Sequence, residues 1–446
     1  MGYQPPRNGF RTFVILWASQ AASVFGTDLT LFALNIWLVQ VIYPLPEQQP
    51  ELAWALAALG LVMAVAGILA TPVAGALVDR LDRKHLMLAT DLVNGVAMAT
   101  TALLAATGIL DVWMMLLISG LFGITDAIHS SALDTSYAML VSDEQLPRAN
   151  GMMQSLWSLS AVLSPAAAAG LVALPALARQ GFIPGGLGHF LAGLRNGVPL
   201  AFAIDAITFF LSAAVLSLLQ IPSPRHEKIG RLGQAAASIW SDIRFGVDYV
   251  RRRPPLLWLL ATFAVANLCE PMGVFLPLIV KVDLAADWLA RGFTYETALA
   301  TLNTLMAIGG LVGAVLVSLW GGARRRRVAA LLFFMLLGGV AQIGIGLLPA
   351  LYLAGAAAFV NSFTIPMANA HSQAIWQGQV PRELQGRVFA VRRVIAQGLM
   401  PLGQVVAGWL AGRMDPGVGL ALLGAIIVIM NLGQLFNRQL MRLEHT

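Results

Sequence analysis

The long apolar stretches of this sequence, and how often they recur, limit what it can fold into more than any other feature. A helix that crosses a bilayer needs about 20 predominantly apolar residues. Stretches of about that length or more follow one another along the chain, parted by short breaks that carry charge, proline or glycine. They predict helices at about Phe13–Val41, Ala53–Leu77, Leu86–Thr107, Val112–Ala138, Met152–Leu174 and Val198–Leu219. A second six are expected at about Leu256–Val280, Ala298–Leu319, Val328–Leu348, Tyr352–Ile375, Val388–Ala411 and Val418–Phe436. The runs are continuous, which argues against a β-barrel built of ten-residue alternations. The expected class is therefore all-α integral membrane, with twelve transmembrane helices in two pseudo-symmetric six-helix bundles. Residues 1–220 would form the first bundle, 221–255 a cytoplasmic linker and 256–446 the second bundle.

Composition closes off the other classes. Only 11% of the 446 residues are charged and 58% are hydrophobic, whereas soluble domains carry about 25% charge. Disordered, collagenous, disulfide-rich and nucleic-acid-binding classes drop out. Cys269 is the single cysteine, so neither an intrachain disulfide nor a cysteine metal cluster can form. The first apolar run is longer than the core of a signal peptide and reads as a retained span.

The net charge of +6 is a matter of topology. With the N-terminus inside, Arg179, Arg195, Lys281, Arg291 and Arg413 are the only Lys or Arg residues, of 28, expected on the outer side. By the positive-inside rule both termini are expected in the cytoplasm, and nucleic acid is a poor candidate partner. The polar stretch Ile221–Pro255 carries Pro222, Pro224 and Arg251-Arg252-Arg253. Within it Ile239, Trp240, Ile243, Val247 and Val250 recur at helical spacing, which suits an amphipathic helix on the inner leaflet. A flexible linker is an equal alternative.

The two halves repeat each other. Glu144 and Arg148 correspond to Glu383 and Arg387, Gly75 to Gly313, and Asp28 to Glu270, each pair about 240 residues apart. Parallel duplication of a six-helix unit is typical of transporters that rock around a midplane site. The most specific motif is GALVDRLDRK, from Gly75 to Lys84. Gly75 would permit close helix approach, Asp79 would sit at a helix end, and Arg80, Arg83 and Lys84 would hold the turn at the anionic leaflet. An ordinary basic loop would explain the arginines but not the G-x-x-x-D-R-x-x-R-K order.

This segment resembles the signature loop between the second and third helices of the major facilitator superfamily, and the likeness extends over the whole chain. Within the superfamily the sequence is most similar to bacterial drug exporters of the macrolide-efflux type and their siderophore-exporting relatives. The segments that carry this are Gln20-x-x-Ser23-x-x-Gly26, Leu146 to Gly151, Ile204 to Phe209 and Gln385 to Phe389. The resemblance implies the major facilitator fold and secondary active export by alternating access, usually coupled to protons. It also implies that Asp79 and the Arg387 region latch the cytoplasmic side. Three departures bear on the coupling ion. The fourth helix lacks arginine, with Ser119 and Gly120 in the corresponding region. The fifth-helix antiporter pattern survives only as Ser160-x-x-x-Ser164-Pro165-x-x-Ala168-Ala169, in which Pro165 can still act as a hinge. The second copy of the loop, Gly313 through Arg327, has lost its aspartate.

Ionisable residues within spans each cost several kcal/mol unless paired or hydrated, and so are candidates for function. Asp28, Asp126, His129 and Glu270 fall near midplane. Asp126 and His129 are three residues apart on one helix face and could share a proton; structural hydrogen bonding to neighbouring helices is the alternative. Glu270, between Asn267 and Pro271, suits cation recognition or coupling, and Asn361 and Asn369 could line a cavity. Asp91 and Asp205 read as packing residues first, and His371 is assigned no chemistry. His129 and Asp134 match an acyltransferase order, but their directions on a helix diverge by about 140°. With no P-loop, no metal-spaced histidines and no convergent catalytic set, neither an ATP-driven pump nor an enzyme is expected.

Twenty Phe, 11 Trp and 17 Met suit an adaptable apolar cavity, with Trp17, Trp37 and Trp157 as weak candidates to line it. The expected protein is a monomeric exporter of the bacterial cytoplasmic membrane, with the bilayer as surroundings. Its partners would be an amphiphilic drug or metabolite and protons as coupling ion, with no cofactor and no metal. Siderophore export is the nearest alternative, and a non-transporting receptor or assembly factor is the rival of another class.

Overall fold

In hydrocarbon every backbone N–H and C=O must be bonded within the chain, and a continuous helix does this with local bonds alone. The computed structural model describes residues 6, 8–142, 144–221, 244–323, 325–441 and 443; the side chains of Asp79, Glu383 and Arg387 lie outside the described set. Among the described residues twelve helices are long and apolar enough to cross a membrane. The first six are Gly9–Ile42, Pro46–Val78, Arg83–Thr107, Val112–Tyr137, Arg148–Arg179 and Val198–Leu218. The second six are Pro254–Lys281, Tyr295–Trp320, Arg327–Leu347, Leu351–Gln379, Val391–Ala411 and Pro416–Leu435. Large apolar side chains remain exposed on these spans, Leu117 at 77% and Leu218 at 84% among them. Water would penalise that arrangement; lipid does not.

Local chemistry sets the ends. Asp82 accepts from the His85 N–H at the start of the third span, Asp111 from Met114 N–H at the fourth, and Asp415 from Val418 N–H at the twelfth. Each satisfies one of the N–H groups that a helix start leaves open. The third span stops at Gly108, whose φ of +75° suits a residue without Cβ. Two spans expected as single helices are broken. The seventh divides into Pro254–Leu268 and Met272–Lys281, because Pro271 has no N–H to continue the ladder. Around the eleventh, one helix ends at Gly398 and the next begins at Met400, with Pro401 in its first turn.

The chain divides into two compact units. One holds Met1–Gln48, Ala58–Glu227 and Leu299–Thr304; the other holds Gln49–Ala57, Lys228–Ala298 and Leu305–Thr446. In the first, Phe13, Leu16, Met87, Leu133 and Leu216 form a packed cluster. In the second, Leu256, Leu259, Leu331, Trp376 and Val388 do the same.

Residues 244–251, the described end of the expected linker, are helical. Val250 belongs to the second unit's cluster, and both Tyr249 and Arg253 donate to the Gln379 carbonyl. This end is docked on protein through Val250, where the sequence pattern suggested either an inner leaflet or a loose tether. Ile239, Trp240 and Ile243 lie outside the described residues.

Close helix approach in the first unit occurs between the first and sixth spans, at Gly26, and between the second and fourth. A Cβ on Gly123 would run into the Met63 carbonyl and the Gly67 backbone. A Cβ on Gly75 would meet nothing within 4 Å, so in this structure that glycine is not the point of approach.

Candidate functional site

Four polar side chains from four spans of the first unit close into a hydrogen-bonded ring. His129 Nε2 lies 2.9 Å from Gln20 Oε1, and Gln20 Nε2 donates to Ser212 Oγ at 3.1 Å. Ser212 Oγ donates to Asp91 Oδ2 at 2.7 Å, and Asp91 Oδ1 lies 3.3 Å from His129 Nδ1. Gln20, Asp91 and Ser212 are buried and His129 is nearly so, in a setting where unmade hydrogen bonds are costly.

The partners fix the direction of each bond. Gln20 donates with its nitrogen, so its oxygen accepts and His129 Nε2 must carry a proton. Ser212 spends its hydroxyl hydrogen on Asp91. The fourth joint, between Asp91 Oδ1 and His129 Nδ1, then closes only if one further proton sits on either atom. With Asp91 ionised and His129 neutral, the ring has three hydrogens for four joints. Thr90 Oγ1, 3.0 Å from Nδ1, has its own carbonyl acceptors at Met87 and Leu86.

This arrangement bears on two expectations. Asp126 and His129 share a helix but not a contact, and among the described residues no hydrogen bond or ion pair joins them. Three residues on a helix turn the direction by about 60°; His129 points inward to Asp91 while Asp126 is exposed. Asp91, expected to be a packing residue, is the carboxylate facing the histidine. Gln20 and Ser212 were not among the expected site residues. A polar residue in an apolar span was the available signal, but their convergence is set by tertiary packing.

Asp28 lies two residues beyond Gly26 in the first span. Ser160 Oγ donates to its Oδ2 at 2.5 Å, Ser164 Oγ lies 3.2 Å from Ser160 Oγ, and Ser164 also donates to the Phe25 carbonyl. The serines replacing glycines in the fifth-span pattern therefore supply hydroxyls to the first span. Pro165, buried beside Ser164, lies inside one continuous helix, Leu146–Arg179. Asp205 is fully buried, with Oδ2 unpartnered and Thr208 3.4 Å from Oδ1.

In the second unit the break of the seventh span places Glu270 in a cavity of about 90 Å³, lined also by Phe263, Asn267, Gln342, Asn361 and Asn369. The side chains of Glu270 and Asn361 are hydrogen-bonded. Asn361 Nδ2 also donates to the Gly338 carbonyl at 3.1 Å, and Asn267 Nδ2 to the Ala396 carbonyl at 2.8 Å. Gln342 Nε2 donates to Cys269 O, freed by the break, at 2.7 Å, and to Leu420 O at 3.3 Å. A larger cavity, about 390 Å³, shares Phe263, Asn267 and Asn369 and is lined by Arg392 and Arg393.

The signature loop is tied to protein. Arg83 is 9% exposed and its Nη1 donates to the Thr135 carbonyl at 2.9 Å, while Lys84 Nζ donates to the Ser217 carbonyl at 2.7 Å. Both acceptors lie in the last turns of their helices, where cations are favoured; these two side chains serve the bundle, where a headgroup contact was expected. Arg80 is exposed, and the side chains of Asp79 and Arg387 lie outside the described set. In the second copy, His371 takes the role of anchor, accepting from the Ala323 N–H at 2.9 Å. Of the three tryptophans expected near a cavity, Trp17 donates to the Met152 carbonyl, Trp37 is buried, and Trp157 is 49% exposed.

Comparison with known proteins agrees with this architecture. The chain is 25% identical over 421 residues to the macrolide efflux protein A of Streptococcus pyogenes, covering 93% of each. It is 25% identical over 362 residues to the multidrug efflux pump Tap of Mycolicibacterium fortuitum, covering 78% of this chain and 80% of that one. A solved bacterial homologue of the human lysosomal transporter Spinster, inward-facing, superposes with a TM-score of 0.65 at 16% identity, over 99% of this chain and 94% of that one. The family model of the Major Facilitator Superfamily matches residues 29–403. With twelve spans and that match, the chain is a multi-pass membrane transporter, not an enzyme, and belongs to the major facilitator superfamily.

Proposed function

We propose that this protein exports amphiphilic small molecules across the bacterial cytoplasmic membrane in exchange for protons, with both termini in the cytoplasm. The relatives named for macrolide and multidrug efflux support export, and the one-sided distribution of Lys and Arg supports the orientation. The observation that carries the proton reading is the ring of Gln20, His129, Asp91 and Ser212. It has a place for one exchangeable proton, and losing that proton opens a joint between buried groups on different spans. The charged groups near His129 are Asp91 and, by longer-range attraction, Asp126. A proton thus alters how the first, third, fourth and sixth spans are held together, which is what coupling requires. Moving one charge through 100 mV supplies about 2.3 kcal/mol.

The test is transport by the purified full chain in liposomes with an imposed pH gradient, following ethidium as a lipophilic cation. Uptake into vesicles that rises with the gradient, and is absent from empty vesicles, is expected. Flux indifferent to the gradient would remove proton exchange, and no flux of ethidium or any other amphiphile would favour a receptor.

A further inference from the structure

The cavity at the break of the seventh span is short of hydrogen-bond donors. Three of its four amides direct hydrogens at protein acceptors: Asn267 at the Ala396 carbonyl, Asn361 at Gly338 and Glu270, and Gln342 at Cys269 and Leu420, while the fourth, Asn369, is exposed. What the three leave over is acceptor surface. Gln342 is fully buried and its Oε1 has no partner, although the residue lines the cavity. Its orientation is not free to reverse, because the nitrogen faces two carbonyl oxygens and an exchanged amide would set oxygen against oxygen. Glu270 contributes a carboxylate to the same space, and no Lys, Arg or His is among the lining residues. Of the two arginines that line the adjoining cavity, Arg392 donates to Gln373 Oε1 at 2.7 Å and Ser372 Oγ at 3.0 Å. A carboxylate and an orphaned amide oxygen at membrane depth call for a ligand that brings both positive charge and N–H groups.

We propose that the Glu270 cavity is the binding site for a primary ammonium group of the transported molecule, its N–H groups donating to Glu270 and to Gln342 Oε1. This rests on the reading of the chain as an exporter and gives that reading a substrate class. A volume of about 90 Å³ takes an ammonium and its adjoining carbons, not a whole drug, since drug-sized sites run to about 300–1,000 Å³. The body of the molecule extends past Phe263, Asn267 and Asn369 into the larger cavity. Phe263, Met335, Ile365 and Ile427 give the small cavity apolar walls, which exclude water and strengthen the charge pairing.

Benzylammonium is the probe, titrated calorimetrically into the full chain in nanodiscs, with empty nanodiscs subtracted. Saturable binding is expected, and Glu270→Gln, which keeps shape and removes charge, should weaken it at least tenfold. Gln342→Met should weaken it too. If that variant fails to fold because the Cys269 carbonyl loses its donor, Glu270→Gln still decides. The neutral isostere benzyl alcohol should bind at least tenfold more weakly, and so should benzyltrimethylammonium, which has charge but no N–H. Equal binding of the quaternary ion, unchanged binding in Glu270→Gln, or no saturable heat at all would overturn the site. Displacement by sodium but not by choline at millimolar concentration would also overturn it, in favour of an alkali-metal site. Gradient-driven ethidium flux alongside absent benzylammonium binding would sink this site alone; binding without any flux would sink the exporter reading instead.

Discussion

Replacing Asp91 by Asn should abolish the response of the transporter to pH while leaving the ring intact. In the wild type the joint between Asp91 Oδ1 and His129 Nδ1, 3.3 Å long, exists only when one of the two atoms carries the additional proton. An amide at position 91 donates with its own nitrogen to Nδ1 and accepts from Ser212 with its oxygen, so the joint closes with His129 neutral and needs no additional proton. The variant therefore imitates the permanently protonated ring. Leaving one buried donor–acceptor joint unmade costs about 1–3 kcal/mol, which corresponds to a bias of roughly 5- to 150-fold between two conformations. The expected result in liposomes is that wild-type flux changes with the imposed pH gradient, whereas flux by Asp91→Asn stays flat.

The same reasoning predicts the outcome for the pair. Asp91→Asn combined with His129→Gln has hydrogens enough for all four joints and no ionisable group in the ring. It should fold, bind the transported cation and ignore the gradient. If the ring were only structural glue, these variants would change thermal stability but keep the wild-type dependence of flux on pH. A full pH response in Asp91→Asn would refute the proton count on which the ring argument depends.

Two predictions concern the frame around the sites. Gly123→Ala should lower the thermal midpoint by an amount equivalent to about 1–3 kcal/mol, because the new Cβ meets backbone at Met63 and Gly67, whereas Gly75→Ala should be nearly neutral; equal losses in the two would refute the packing assignment. Asp283 lies in the loop after the seventh span, where burial first, and then the hydrogen bond and charge of Asp415, push its carboxyl up to about 7 against the Gly417 N–H. A raised carboxyl stabilises the fold in its protonated form, so stability is greatest at low pH and is lost as pH rises from the unfolded value near 4 through 7. Solvent at this half-exposed group limits the loss to about 1–2 kcal/mol. Tryptophan-monitored melting at pH 5.5 and pH 8 should show the wild type weaker at pH 8 and Asp283→Asn level; parallel slopes would contradict it.

Why some of this was legible in the sequence and some was not follows from the range of the interactions. Span number, the caps at Asp82, Asp111 and Asp415, and the break at Pro271 depend on residues within a turn or two of one another. Hydropathy gave the span number; the caps and the break are equally local, but the seventh span was expected as one helix and no caps were assigned. The ring depends on Gln20 and Ser212, 192 residues apart, pointing at the same place. Sequence spacing can say that Asp126 and His129 share a helix face, but not which of them the third and first spans cover. Asp91 looked like a packing residue because its contact with His129 exists only in the folded chain.

The second unit extends the same lesson to chemistry. Glu270 was a candidate because a carboxylate in a span is costly. The residue that gives its cavity a direction is Gln342, whose nitrogen answers the carbonyl that the Pro271 break leaves open. A helix break is usually regarded as a loss of backbone bonding, with a side chain recruited to repair it. Here the repair consumes the donating end of the amide and leaves its accepting end buried and unpartnered in a residue of the cavity lining, so on our proposal the same bond that mends the span also sets what the cavity can accept. Substitutions that restore the helix, such as Pro271→Ala, should therefore alter ammonium binding even though position 271 does not line the cavity.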